Sequence, residues 1–222
     1  EMAQQTTDTS WIASCEINIG NVYKVKGYLI IAQKYYMDAL AIMEKLGHER
    51  RIAACYQNIG DIYNEQRDYN LALEYYSRSL TLAIKTNDKV RETTCYVNIG
   101  YAYINMNQNQ VARSYLEKAI DLYNETGYQH ELDVCYLLLG DTWLSEGFYN
   151  KAIEYYYIAL DISKREKDKN SIAEIEGKLG TTYFNKKENQ KALQYFLSSL
   201  AHADTIGSLT LMIQANKSLS AY

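Results

Sequence analysis

Asn18, Asn58 and Asn98 stand forty residues apart, each directly before an Ile-Gly pair. Asparagine is a middling helix former, so three copies at one helical position imply a use for the carboxamide. An amide offers a donor and an acceptor together, matching the two polar groups of a peptide backbone. A row of such groups could hold an extended chain whatever its side chains. The competing use is a hydrogen bond to a neighbouring helix. The row ends at Leu138 and Lys178, so a chain held this way would engage the first three copies. Cys15, Cys55, Cys95 and Cys135 form a second row with the same spacing. Stacked helices put equivalent atoms roughly 10 Å apart, beyond the ~7 Å between Cα atoms that a disulfide tolerates. Such cysteines cannot converge on one metal ion either, so all four are expected to be small buried apolar groups. His48, His130 and His202 occupy non-equivalent positions, and the chain has no HExxH spacing, phosphate-binding loop or nucleophile elbow. No catalytic residue, cofactor or metal is expected.

The elements that carry these rows repeat with them. Gly20, Gly60, Gly100, Gly140 and Gly180 are each followed after twelve residues by alanine (Ala32, Ala72, Ala112, Ala152, Ala192). Three residues later comes tyrosine (Tyr35, Tyr75, Tyr115, Tyr155, Tyr195). Each repeat holds two segments of helical periodicity: Cys15, Ile19, Val22 and Tyr23 share one face, and Ala32, Tyr35, Tyr36, Ala39 and Leu40 share another. Breaks fall at 26–28, 66–68, 106–108, 146–148 and 186–188, and again at 47–48, 87–88, 127–128, 167–168 and 207–208. Connections this short force antiparallel helical hairpins. Glycine inside a helix costs roughly 0.8–1 kcal/mol relative to alanine. Close backbone approach, with the recurring alanine as counterpart, is the expected compensation. The 23 tyrosines fall mostly at repeat positions and are expected to pack with their hydroxyls in water.

A fixed period of this kind means stacked modules, each touching its neighbours. The chain is expected to be one elongated all-α domain over 1–222. Residues 1–9 would be the tail of a preceding repeat, the full repeats 10–49, 50–89, 90–129, 130–169 and 170–208, and 209–222 the first helix of a truncated sixth. Leu209, Leu211, Met212 and Leu219 would then be uncovered, which makes a homodimer through terminal helices a candidate. A net charge of −4 argues against nucleic acid, and no apolar run approaches the ~20 residues of a membrane span. Unpaired cysteines favour a reducing cytoplasmic setting without excluding an exported one.

The order Leu/Ile-Gly, aromatic, alanine, aromatic, small residue resembles the tetratricopeptide repeat. It reads Ile19-Gly20, Tyr23, Ala32, Tyr36, Ala39 in the first copy and Leu139-Gly140, Trp143, Ala152, Tyr156, Ala159 in the fourth. Leu116 is the one departure from the second aromatic. The family's usual period is 34 residues; the forty here, and the lack of proline, fit helices longer by nearly a turn. HEAT and armadillo repeats share the length but not this order. The longer variety is similar to arrays in bacterial signalling proteins, among them peptide-sensing regulators.

The resemblance implies a right-handed α-solenoid whose first helices line a concave groove for a protein or peptide partner. Mapped onto this chain, the groove positions include Ile17, Asn18, Asn21, Asn58, Asp61, Val97, Asn98, Tyr101, Leu137, Asp141 and Leu144. A clamp for a terminal carboxylate is disfavoured: the lining cations are Lys24 and Lys178, set among Asp61, Glu65, Asp141 and Glu174. A sensor or docking role in a larger bacterial signalling protein is expected, with a structural scaffold as the alternative.

Overall fold

Glycine, asparagine and polar residues at the predicted breaks end one helix and start the next, and the computed structural model follows them closely. It describes residues 2–127 and 131–221. Tyr128 and His130 lie outside the described residues. The helices are α1 (Met2–Val25), α2 (Leu29–Leu46), α3 (Glu49–Glu65), α4 (Tyr69–Lys85), α5 (Lys89–Asn105), α6 (Asn109–Thr126), α7 (Leu132–Ser145), α8 (Tyr149–Glu166), α9 (Lys169–Asn185), α10 (Asn189–Ile206) and α11 (Leu209–Ala221). No strand occurs among the described residues, and none of their helices is long and apolar enough to cross a membrane.

One period resolves into two seventeen-residue helices, α3 and α4, with short turns after each. The turns share a backbone signature. Gly27, Arg67, Asn107, Gly147 and Lys187 have positive φ within hairpins, and Gly47, Asn87, Gly127, Lys167 and Gly207 have it between them. Glycine adopts this conformation without strain; at Arg67, Lys167 and Lys187 the packing on either side imposes it on a residue with a Cβ. Asp68 and Asp88 cap the helices that follow, accepting from the backbone N–H of Leu71 and Arg91 at 3.2 Å.

The chain forms two compact units, one ending at Leu122 and the other starting at Tyr123. In the first, α1 packs on α2, α2 on α3, α3 on α4 and α4 on α5. Its core gathers Ala32, Tyr36, Ala39, Met43, Cys55, Ile59 and Ile62. In the second, α7 packs on α8, α8 on α9, α9 on α10 and α10 on α11, around Tyr156, Ile175, Leu179 and Phe196. Leu219 packs against this second core, whereas Leu209 is exposed, so the expected uncovered face of α11 is only partly open.

The cysteine expectation needs one correction. Cys55, Cys95 and Cys135 are buried, but Cys15 is exposed. Its face of α1, with Ile19 and Val22, matches the face of α3 that buries Cys55, Ile59 and Ile62 against α2. Among the described residues no second-type helix covers α1 in that way. Burial pushes the Cys55 and Cys95 thiols up to about 11. Ellman's reagent is therefore expected to titrate one thiol of the native protein within minutes, and all four after unfolding. Several native thiols reacting at one rate would contradict this packing.

Candidate functional site

Each of the five repeat glycines makes room chiefly for a side chain sixteen residues on, and not for the neighbouring backbone as the sequence suggested; only at Gly100 is a backbone atom, Ala112 O at 3.4 Å, among the near neighbours. A Cβ on Gly20 would lie 2.6 Å from Tyr36 Cε1, one on Gly60 2.6 Å from Tyr76 Cε1, and one on Gly140 2.4 Å from Tyr156 Cε1. At Gly180 the neighbour is Phe196, and at Gly100 it is Leu116, which leaves 3.0 Å. The first helix must lose its side chain because the second buries a ring against it. Tyr36 and Tyr156 are fully buried and Tyr76 nearly so.

A buried phenol needs a partner for its hydroxyl, and the residue after the glycine supplies it. Tyr36 donates to Asn21 Oδ1 at 2.7 Å, Tyr76 to Asp61 Oδ1 at 2.9 Å and Tyr156 to Asp141 Oδ1 at 2.7 Å. Where the ring lacks a hydroxyl, the acceptor is not a carboxylate or amide: Leu116 goes with Tyr101, and Phe196 with Thr181. The wet hydroxyls expected from sequence are thus bonded at these three tyrosines. Burial, then the charges of Asp61 and Glu65, push the Tyr36 hydroxyl up to about 12. Tyr76 and Tyr156 are also raised, by burial first and by their bonded carboxylates second. A second ring pair stacks within hairpins, with centroids 5.4 Å apart for Tyr63 and Tyr75 and 5.6 Å for Tyr183 and Tyr195.

Asp61 collects more than the phenol. Lys24 Nζ on α1 approaches its Oδ2 at 3.0 Å, and Asn98 Nδ2 on α5 donates to its Oδ1 at 3.3 Å. Three consecutive hairpins therefore meet at one carboxylate. The second unit repeats the motif: Lys178, standing where the asparagines stand, donates to Asp141 Oδ2 at 2.7 Å. Both bridges are partly exposed, so each contributes little through charge alone.

The carboxylate of Asp61 lies in a pocket of about 660 Å³ in the first unit, lined by Lys24, Asn64, Glu65, Arg67, Tyr69, Tyr76, Asn98, Tyr101 and Asn105 beside it. Of the residues expected to form the groove, Lys24, Asp61, Glu65, Asn98 and Tyr101 converge here. Asn18 is exposed and Asn58 half-buried, and among the described residues neither amide has a hydrogen-bond partner. Asn21 is exposed and serves Tyr36. Val97 and Leu137 are each only 7% exposed, and Ile17 and Leu144 pack against the cores of their own units. Asp141 holds Tyr156 and Lys178 in the second unit.

The family model described as Tetratricopeptide repeat matches residues 8–85 and 53–125, together more than half of the chain. This chain is a member of the tetratricopeptide repeat family. No curated protein matches it. Solved tetratricopeptide-like structures do. The Rap conjugation gene regulator of the plasmid pLS20, in complex with the Phr* peptide, superposes with a TM-score of 0.80 at 16% identity, over 90% of this chain and 56% of that one. Aspartyl phosphate phosphatase F from Bacillus subtilis gives 0.71 at 16% identity, over 90% and 61%. A signal-transduction ATPase with numerous domains and a tetratricopeptide sensor, from Pyrococcus horikoshii, gives 0.79 at 21% identity, over 91% and 31%. This chain spans less than two thirds of each of these proteins, and at such identities the likeness is one of fold.

Two features of the tetratricopeptide hairpins escaped the sequence reading. Arg67 and Tyr69 line the pocket from the turn and the second helix, outside the first-helix positions that the resemblance implies. Tyr76 closes its floor from α4. The signal for Tyr76 was present: across the five repeats an Asn or Asp after the glycine occurs only with tyrosine sixteen residues from that glycine.

Proposed function

We propose that this chain is a non-catalytic protein- or peptide-binding module, the sensor or docking part of a larger bacterial signalling protein. The partner, a peptide or a helix, would lie along the first helices of a single tetratricopeptide array whose forty-residue register runs through residues 10–208. The observation that carries this reading is the polar pocket around Asp61, where predicted groove residues from α3 and α5 meet Lys24 of α1. The likeness to a regulator solved with a peptide supports it. The reading includes no nucleic acid, and buried unpaired thiols favour a reducing compartment.

The test separates binding from packing. Asn18→Ala/Asn58→Ala removes two amides without hydrogen-bond partners among the described residues, and Asn98→Ala removes one that bonds Asp61. Peptides selected from a phage-displayed random heptapeptide library serve as probes. The double variant is expected to bind them at least about tenfold more weakly with an unchanged melting temperature. Asn98→Ala should lower the melting temperature as well. Unchanged binding in the double variant would leave the asparagine row with only a structural role.

A second reading, a self-associating scaffold, is favoured by the first hairpin's exposed apolar surface. Trp11 is 69% and Ile30 80% exposed, and the position of Ile30 is an amide in the other repeats (Asn70, Gln110, Asn150, Gln190). A mass that rises with concentration in light scattering, and falls with Trp11→Ser/Ile30→Asn, would support that reading.

A further inference from the structure

The pocket around Asp61 is not electrically symmetric in what it leaves unused. Asp61 already accepts from Lys24, Tyr76 and Asn98, and Lys24 is committed to it. Asn64 Oδ1 is buried and has no hydrogen-bond partner. Glu65 is exposed beside it and, among the described residues, makes no ion pair or hydrogen bond. Tyr101 offers a half-open ring face, and Asn105 a free amide. The unpaired acceptors thus outnumber the one unpaired cation, Arg67, which sits at the rim on the turn.

We infer that this pocket receives a basic side chain of the bound segment, a guanidinium or ammonium, with Glu65 as its counter-charge and the exposed Tyr101 ring beside it. This rests on the groove reading above and sharpens it to one contact. A charge-assisted bond to Glu65 adds orientation, and the Tyr101 face suits a cation lying over it. The charges of Asp61 and Glu65 both oppose ionisation of Tyr76, which lines the pocket. The arrangement belongs to this hairpin alone. The positions of Asn64 and Glu65 are Lys24 and Val25 in the first repeat, Ile104 and Asn105 in the third, Leu144 and Ser145 in the fourth, and Phe184 and Asn185 in the fifth.

The test selects the random heptapeptide library on the immobilised 222-residue chain, on Glu65→Gln and on Glu154→Gln, an exposed glutamate of the second unit that controls for net charge. Peptides enriched on the wild type are expected to carry Lys or Arg at one fixed position. Their affinity should fall about tenfold or more on Glu65→Gln and remain on Glu154→Gln, with equal melting temperatures throughout. Glu65→Lys should shift the enrichment to an acidic residue at that position. Enriched peptides without a fixed basic residue, or with affinities that Glu65→Gln leaves unchanged, overturn the contact while the groove reading stands. No enrichment on any of the proteins overturns both.

Discussion

Gly140→Ala is expected to destabilise the second unit by about 1–3 kcal/mol, although alanine is the better helix former. In an open helix the change would gain roughly 0.8–1 kcal/mol. Here the new methyl would sit 2.4 Å from Tyr156 Cε1, and the ring cannot retreat: it is fully buried and its hydroxyl is held on Asp141 at 2.7 Å. Overpacking of this kind costs about 1–3 kcal/mol, and a displaced phenol loses about 1 kcal/mol of hydrogen bonding in addition. Gly100→Ala is the internal control. Its methyl would meet Leu116 at 3.0 Å, a side chain without a hydroxyl to anchor it, so the propensity gain and the crowding should roughly cancel. Urea unfolding followed by circular dichroism reads both variants. A Gly140→Ala protein as stable as the wild type would mean that the glycine is not there for the ring.

Asp61→Ala is expected to cost the first unit about 2–3 kcal/mol. The loss comes chiefly from the Tyr76 hydroxyl, left without an acceptor in a site that is only 2% exposed. Lys24 and Asn98 lose their partner too, but they reach solvent and contribute less. The double variant Asp61→Ala/Tyr76→Phe removes donor and acceptor together, as the fifth repeat does naturally with Thr181 and Phe196. It should therefore recover about 1 kcal/mol or more relative to Asp61→Ala alone, a coupling that a double-mutant cycle measures directly. If the double variant is no more stable than the single, the stability rests on the Lys24 bridge and not on the buried phenol.

The helices and their turns were legible because their causes are local. A Gly, Asn or Asp at every break except Lys186-Lys187-Glu188, and apolar residues at helical spacing, act within a few residues of chain, and the forty-residue register copies them five times. The cysteine row shows where that logic stops. Cys15 and Cys55 hold the same position in their repeats, five residues before the glycine, yet one is exposed and the other buried, because burial is decided by whether a second-type helix lies across the face. The asparagine row divides in the same way: Asn98 reaches Asp61, while Asn18 and Asn58 are unbonded among the described residues. What stands opposite differs, since the residue 37 positions earlier is Asp61 for Asn98 and Asn21 for Asn58.

An all-α chain of tetratricopeptide hairpins, its helix breaks and first-helix positions that line a pocket were all readable from residue pattern. Helix packing had to show that four of the five repeat glycines admit a ring, that Asn21, Asp61 and Asp141 hold its hydroxyl where it has one, and that turn residues such as Arg67 complete the pocket. The reason is distance along the chain. Periodicity governs contacts within a turn or two of helix, whereas these contacts join residues 15 to 37 positions apart, whose meeting depends on how one helix is laid against the next.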